Sequence, residues 1–124
     1  MAEIAEVRRV EKPWGYEEIF AVTQRYVGKL LFIRAGEALS LQYHRVKDET
    51  LRLIEGTMEL VSGNRPEELQ PVRIEQGMAF RVTPGTIHRM TAETDCLLVE
   101  VSTPELDDVV RLEDRYGREG TTTP

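Results

Sequence analysis

Between residues 16 and 101 the apolar and β-branched positions fall into short runs about ten residues apart, at 18–22, 26–33, 39–43, 51–54, 58–61, 72–74, 78–82, 87–91 and 96–101. No helical apolar period survives for more than two turns in this region, so the runs predict strands. Residue types that set or tolerate turn dihedrals separate them: Ala35-Gly36, Glu55-Gly56, Ser62-Gly63-Asn64-Arg65-Pro66, Gln76-Gly77, Pro84-Gly85 and Glu93-Thr94-Asp95. Many short strands joined by such turns predict an all-β sandwich or barrel, and strands do not alternate with helices as an α/β enzyme requires. The ends are less patterned. Residues 3–10 and 104–114 each fit a short helix or an extra strand, and 119–124 reads as a flexible tail.

Strand parity then sorts the side chains. Val27, Lys29, Leu31 and Ile33 share one face, so Lys29 either turns inward with a phosphate or carboxylate partner or lies on a strand exposed on both sides. Gln42 and His44 project together, opposite to Leu41 and Tyr43. Phe80, Val82, His88 and Met90 claim the inward parity of their strands, which leaves Arg81 and Arg89 outside. Trp14, flanked by Pro13 and Gly15, reads as a core or interface aromatic, and Cys96 as a small buried hydrophobe.

Composition narrows the class. The 124 residues carry 22 acidic and 16 basic side chains, a formal charge of −6, with no Lys/Arg run. That balance argues against nucleic acid and anionic membrane as partners. The length fits one domain, residues 1–124 with a core at about 12–118, large enough to fold without a disulfide or a structural metal. A single cysteine excludes a disulfide framework, a Cys-x-x-Cys pair and a cysteine-based zinc finger, and points to a reducing cytoplasm. Residues 1–10 lack the apolar stretch of a signal peptide, and no run approaches a membrane span.

The chemistry concentrates on few residues. His44 and His88 are the only histidines. A turn over residues 45–48 would bring Glu49 back beside His44 on the face that also carries Gln42. Gln42, His44, Glu49 and His88 together offer two nitrogen and two oxygen donors, a set suited to one divalent metal with positions left open for substrate. Zinc is the first expectation, with Mn, Fe, Co or Ni as alternatives.

Written in order, Gly36, Gln42-Tyr43-His44, Glu49 and Gly56 are followed by Gly77, Thr83-Pro84-Gly85 and His88. This order and spacing resembles the two motifs of the cupins, with Gln42 in place of the first histidine. Ser40-Leu41-Gln42-Tyr43-His44, Lys12-Pro13-Trp14-Gly15 and the closing Val110-Arg111-Leu112-Glu113-Asp114-Arg115-Tyr116-Gly117-Arg118 further resemble the C-terminal isomerase domain of type II phosphomannose isomerases. The nucleotidyltransferase domain that precedes it in bifunctional members has no counterpart in these residues.

The resemblance implies a double-stranded β-helix, or jelly-roll, cupin barrel with short N- and C-terminal extensions. It also implies a homodimer and a metal-dependent aldose-ketose isomerase acting on a phosphorylated sugar, mannose 6-phosphate or fructose 6-phosphate. Lys29, Lys47 and Arg118 are the candidate cations for the phosphate. Lys47 stands where the family has an arginine and Thr50 where it has a histidine, so no residue is assigned as the base. Two other functions fit the same donors: an Fe(II) dioxygenase, and a non-catalytic sugar or small-acid binding protein.

Overall fold

The runs of alternating residues become two antiparallel six-stranded sheets in the computed structural model, which describes residues 1–121. The strands are β1 (Arg8–Lys12), β2 (Gly15–Val22), β3 (Val27–Ile33), β4 (Leu41–Tyr43), β5 (Glu49–Glu55), β6 (Thr57–Gly63), β7 (Gln70–Glu75), β8 (Ala79–Val82), β9 (Ile87–Ala92), β10 (Cys96–Ser102), β11 (Val110–Glu113) and β12 (Gly120–Thr121). One sheet runs β1-β2-β3-β10-β5-β8 and the other β12-β11-β4-β9-β6-β7. The all-β jelly roll expected of a cupin is the fold of this chain. No helix of the described residues is long and apolar enough to cross a membrane.

Both ambiguous ends are strand in part, β1 from Arg8 and β11 from Val110, and neither forms a helix. β1 pairs with β2, and β11 pairs with β4, which places the C-terminal segment beside the strand that carries Gln42. The expected tail begins with β12 instead, because Gly120 and Thr121 pair with Arg111 and Val110. Its last residues, 122–124, lie outside the described residues.

Two glycines hold the frame together by lacking a side chain. A Cβ on Gly15 would lie 1.8 Å from the carbonyl oxygen of Phe32, so only glycine lets β2 start this close to the end of β3. Gly56 joins β5 to β6 at φ +103°, a conformation L side chains rarely adopt, and a Cβ there would meet the Asp95 oxygen at 2.4 Å.

The first sheet's inner face has two chemically different ends. Period-two alternation turns Leu31 and Ile33 of β3, Leu51 and Leu53 of β5, and Cys96 and Leu98 of β10 into the barrel, where they pack with Trp14, Met58, Ile74 and Met90. Farther along the same strands the inward positions become Lys29, Glu49 and Glu100. Register fixes their neighbours: Glu100 pairs with Lys29 across β10–β3 and with Leu51 across β10–β5. The apolar end supplies most of the stabilisation, since fully burying one such side chain contributes about 1.5–3 kcal/mol. The polar end supplies the chemistry.

Candidate metal centre and its cavity

The turn over residues 45–48 does what the spacing predicted. It returns the chain so that Glu49, first residue of β5, faces His44, with Glu49 Oε1 3.2 Å from His44 Nε2. His88 reaches the same carboxylate oxygen from β9, at 3.5 Å. One donor atom from each of the three residues lies within 4.8 Å of the others, and all three side chains are buried. The imidazole planes are tilted by 53°, with ring centroids 5.1 Å apart.

Main-chain oxygens decide how the rings present themselves. His44 Nδ1 lies 2.6 Å from the Asp108 oxygen and His88 Nδ1 lies 2.9 Å from the Thr86 oxygen. A carbonyl oxygen only accepts, so each Nδ1 carries the proton that it donates. Each Nε2 then meets the carboxylate as an imidazolium N–H or, with a cation between them, as a lone pair. His88 Nε2 is sealed from solvent and has no hydrogen-bond partner among the described residues. Orphaned nitrogen, anchored tautomers and a carboxylate within reach fit a divalent ion held by His44, Glu49 and His88. Gln42 stands opposite His88 in the β4–β9 register, and its Oε1 accepts a hydrogen bond from Ser40 Oγ at 2.6 Å.

The carboxyl of Glu49 is held well below its ordinary range. Burial opposes ionisation, but the two imidazoles and the Lys47 ammonium outweigh it. Lys47 in turn is buried between Glu49 Oε2 at 3.0 Å and Glu100 Oε2 at 3.1 Å. Burial would discharge that lysine; the two carboxylates raise its pKa above the ordinary value instead. Lys29 extends the chain of charges, with Nζ 3.0 Å from Glu17 Oε1 and 3.7 Å from Glu100 Oε2. Glu100 is pushed up by burial and by the nearby Glu49, against the pull of Lys29 and Lys47. Of the two alternatives left open for Lys29, the structure takes the inward one, with carboxylates as its partners.

In front of this network lies a cavity open to solvent. Gln42, His44, Lys29, Lys47 and Arg118, all named from sequence, line it, and so do Lys12, Glu17 and Arg111, which were not. Arg118 is tied to Asp114, its Nε 2.8 Å from Oδ2. Arg111 is the unexpected member: it is 7% exposed, and its Nε and Nη1 have no hydrogen-bond partner among the described residues. Burial and the neighbouring Arg118 lower its pKa. Burial also lowers that of Lys12, which Lys29, Arg111 and Arg118 reinforce against Glu17. The alternation of Val110, Arg111 and Leu112 would have turned the arginine outward; β11 instead buries Arg111 and leaves Leu112 exposed.

Three comparisons place this architecture among known proteins. Residues 1–114 match the family described as "Mannose-6-phosphate isomerase C-terminal". The chain is 31% identical over 116 residues to the xanthan biosynthesis protein XanB of Xanthomonas campestris pv. campestris, covering 90% of this chain and 24% of that protein. It is 33% identical over 118 residues to mannose-1-phosphate guanylyltransferase ManC of Salmonella typhimurium, covering 90% of this chain and 23% of the relative. The chain thus spans about a quarter of the length of these curated relatives, one of which is named for guanylyl transfer rather than isomerisation.

Among solved structures, the capsular polysaccharide assembling protein CapF of Staphylococcus aureus superposes with a TM-score of 0.75 at 15% identity, covering 87% of this chain and 34% of CapF. KdgF from Halomonas sp. gives 0.66 at 22% identity, covering 80% of this chain and 87% of that one. Oxalate decarboxylase of Lactobacillus farciminis gives 0.73 at 16%, covering 86% and 33%. At these identities the likeness concerns the fold.

Proposed function

Because the chain belongs to the mannose-6-phosphate isomerase C-terminal family, we propose that it binds a phosphorylated sugar beside one divalent metal ion and interconverts its aldose and ketose forms. The observation that carries this reading is the pairing of two unmet demands in one cavity. A His44–Glu49–His88 cluster, which reaches the cavity through His44, offers converging donors to a cation, and Arg111 on the cavity lining, its Nε and Nη1 unpartnered among the described residues, offers donors to an anion. A sugar phosphate has a carbonyl oxygen for the first and a phosphate for the second.

Arg111 presents the planar fork that suits phosphate oxygens. Lys12 and Arg118 add positive charge along the same wall. Lys29 and Lys47, already held between carboxylates, set the field and the shape of the floor rather than gripping the phosphate. A metal held by His44, Glu49 and His88 supplies a Lewis acid that polarises the sugar carbonyl. Gln42, the fourth ligand expected from sequence, has its oxygen engaged by Ser40, so its role here is that of a donor toward a sugar hydroxyl through its amide N–H groups rather than that of a ligand. The main-chain oxygens of Asp108 and Thr86 keep both rings in the tautomer that leaves Nε2 facing the cluster.

The direct test is conversion of mannose 6-phosphate to fructose 6-phosphate in a coupled assay, with Zn, Mn, Co and Fe each added to metal-stripped protein. Turnover that requires metal is the expected result; none above buffer with any metal overturns the reading. A second reading has its own observation, since two histidines and one carboxylate with open positions also suit Fe(II) and oxygen chemistry. Oxygen consumption by the iron-loaded protein with a candidate substrate would favour it. The proposal includes a homodimer: residues 1–7 extend from the barrel with Ile4 and Val7 exposed, and a second copy would cover them. Light scattering at the mass of one 14.2 kDa chain would refute it.

A further inference from the structure

We propose that Glu17 is the proton-transfer residue of this cavity, moving hydrogen between C1 and C2 of the open-chain sugar phosphate. The inference rests on the isomerase reading above and fills the place the two histidines leave empty. Both rings have Nδ1 committed to main-chain oxygens and Nε2 turned on Glu49. Glu49 faces the rings and Lys47, and Glu100 lies between Lys47 and Lys29. Like Glu17 Oε2, Glu100 Oε2 makes no well-directed hydrogen bond among the described residues, but of the three carboxylates only Glu17 lines the cavity. It projects inward from β2, is 5% exposed and lines the cavity; Lys29 Nζ holds its Oε1 at 3.0 Å, while its Oε2 has no hydrogen-bond partner among the described residues.

A role as mere counter-ion to Lys29 leaves that orphan oxygen unexplained. Lys29 already has a second carboxylate, Glu100, at 3.7 Å. Nor does Glu17 pair with Arg111 among the described residues, although both line the cavity and both carry unmet atoms. Glu17 and Arg111 feel each other's charge without a direct hydrogen bond, which leaves room for a ligand that serves both. A sugar phosphate does so, with its phosphate on Arg111 and an acidic C–H at the oxygen of Glu17.

The step balances within the sugar. Glu17 Oε2 takes the proton on C2 of the aldose; that C–H pair becomes the C1=C2 bond, and the former C1=O pair moves onto O1. O1 gains a proton as O2 loses one, and Glu17 returns its proton to C1 while the C2 carbonyl forms. C1 is reduced by the two electrons that C2 gives up, so no outside oxidant or reductant is needed. Lys29 fixes one oxygen of Glu17 and so leaves the other aimed for transfer.

The experiment compares wild type, Glu17→Gln and Glu17→Asp, each supplemented with metal, in deuterium oxide with fructose 6-phosphate. Mass spectrometry follows label at C1 and C2, and calorimetry measures mannose 6-phosphate binding. Expected for Glu17→Gln is a loss of turnover and of exchange by about 10²–10⁴-fold, the range of a general base, with binding unchanged or tighter because a negative charge has left an anion site. Glu17→Gln turnover within tenfold of wild type overturns the proposal, as does a fall in affinity that accounts for the whole loss of rate.

Should Glu17→Gln fail to fold, Glu17→Asp decides. It keeps the charge and withdraws the oxygen by one methylene, so kcat falls at constant KM if the proposal holds and is unchanged if it does not. Wild-type protein that binds mannose 6-phosphate but neither converts nor exchanges it overturns the isomerase reading, and the role of Glu17 with it. Wild-type protein that exchanges normally alongside an equally active Glu17→Gln overturns Glu17 alone.

Discussion

Asp108 grips His44 from both directions. Its main-chain oxygen lies 2.6 Å from His44 Nδ1, and its carboxylate accepts hydrogen bonds from the backbone N–H groups of Arg45, Val46 and Lys47 at 3.0, 2.7 and 2.8 Å. One residue therefore orients the imidazole and shapes the turn that delivers Glu49. Burial works against the Asp108 carboxylate, but the three N–H donors lower its pKa below the ordinary aspartate value.

The sign of the pH effect follows. A group whose folded pKa is depressed adds stability above its unfolded pKa, about 3.9 for aspartate, and loses that contribution as pH falls through the folded value. Asp108→Asn is expected to lower stability near neutral pH by about 1–2 kcal/mol, as for loss of a capping carboxylate. The gap from wild type should close below about pH 4. Thermal melts from pH 2 to 7 check this, and a gap that stays constant with pH would contradict it.

Removal of a ligand should cost more than disturbance of its support. His88→Ala and His44→Ala are expected to weaken zinc binding by more than about 100-fold, while Asp108→Asn weakens it by about 10–100-fold, the range for residues behind a ligand. Competition titrations against a chromophoric chelator measure both. Equal affinity in wild type and His88→Ala would remove His88 from the centre.

Glu100 is expected to matter for stability more than its size suggests. Glu100→Ala strips one carboxylate from between Lys29 and Lys47, which lie 3.7 and 3.1 Å from it. Breaking a buried charge set in this way costs about 3–5 kcal/mol, read by urea denaturation. Glu100→Gln, which keeps the shape, should fall between wild type and Ala.

Arg111 should show the opposite trade. Its guanidinium is buried with Nε and Nη1 unpartnered among the described residues, so Arg111→Met relieves an uncompensated charge and is expected to raise the melting temperature. The same change should weaken sugar-phosphate binding by about 10–150-fold, the worth of a hydrogen bond to a charged group. Calorimetry beside a thermal melt reads both effects; a destabilised variant with intact binding would refute the assignment.

The residues legible in sequence were those whose roles depend on local spacing. Strand parity put His88 inside and left Lys29 two alternatives, of which the structure takes the inward one, and the short turn after His44 returned Glu49. Arg81 lies outside as parity required, paired with Asp48, and Cys96 is buried. What sequence left open depends on register between distant strands. Glu17 meets Lys29 only because β2 pairs with β3, and Glu100 meets it only because β10 flanks β3 on the other side. Asp108 sits in a connection without period, 64 residues from the ring it orients. Arg111 was hidden by its apolar neighbours Val110 and Leu112, which claim the inward parity that β11 gives to the arginine.

The packed layer of Leu31, Ile33, Leu53 and Leu98 seals the barrel behind the charged residues. A molecule that occupies the cavity must therefore leave by the doorway through which it arrived. Substrate and product would share a single route, and each would obstruct the passage of the other. Leu106, Asp108, Val109, Arg111 and Arg118 all line that cavity, so a shift of the C-terminal segment would alter the pace of exchange without touching the metal cluster.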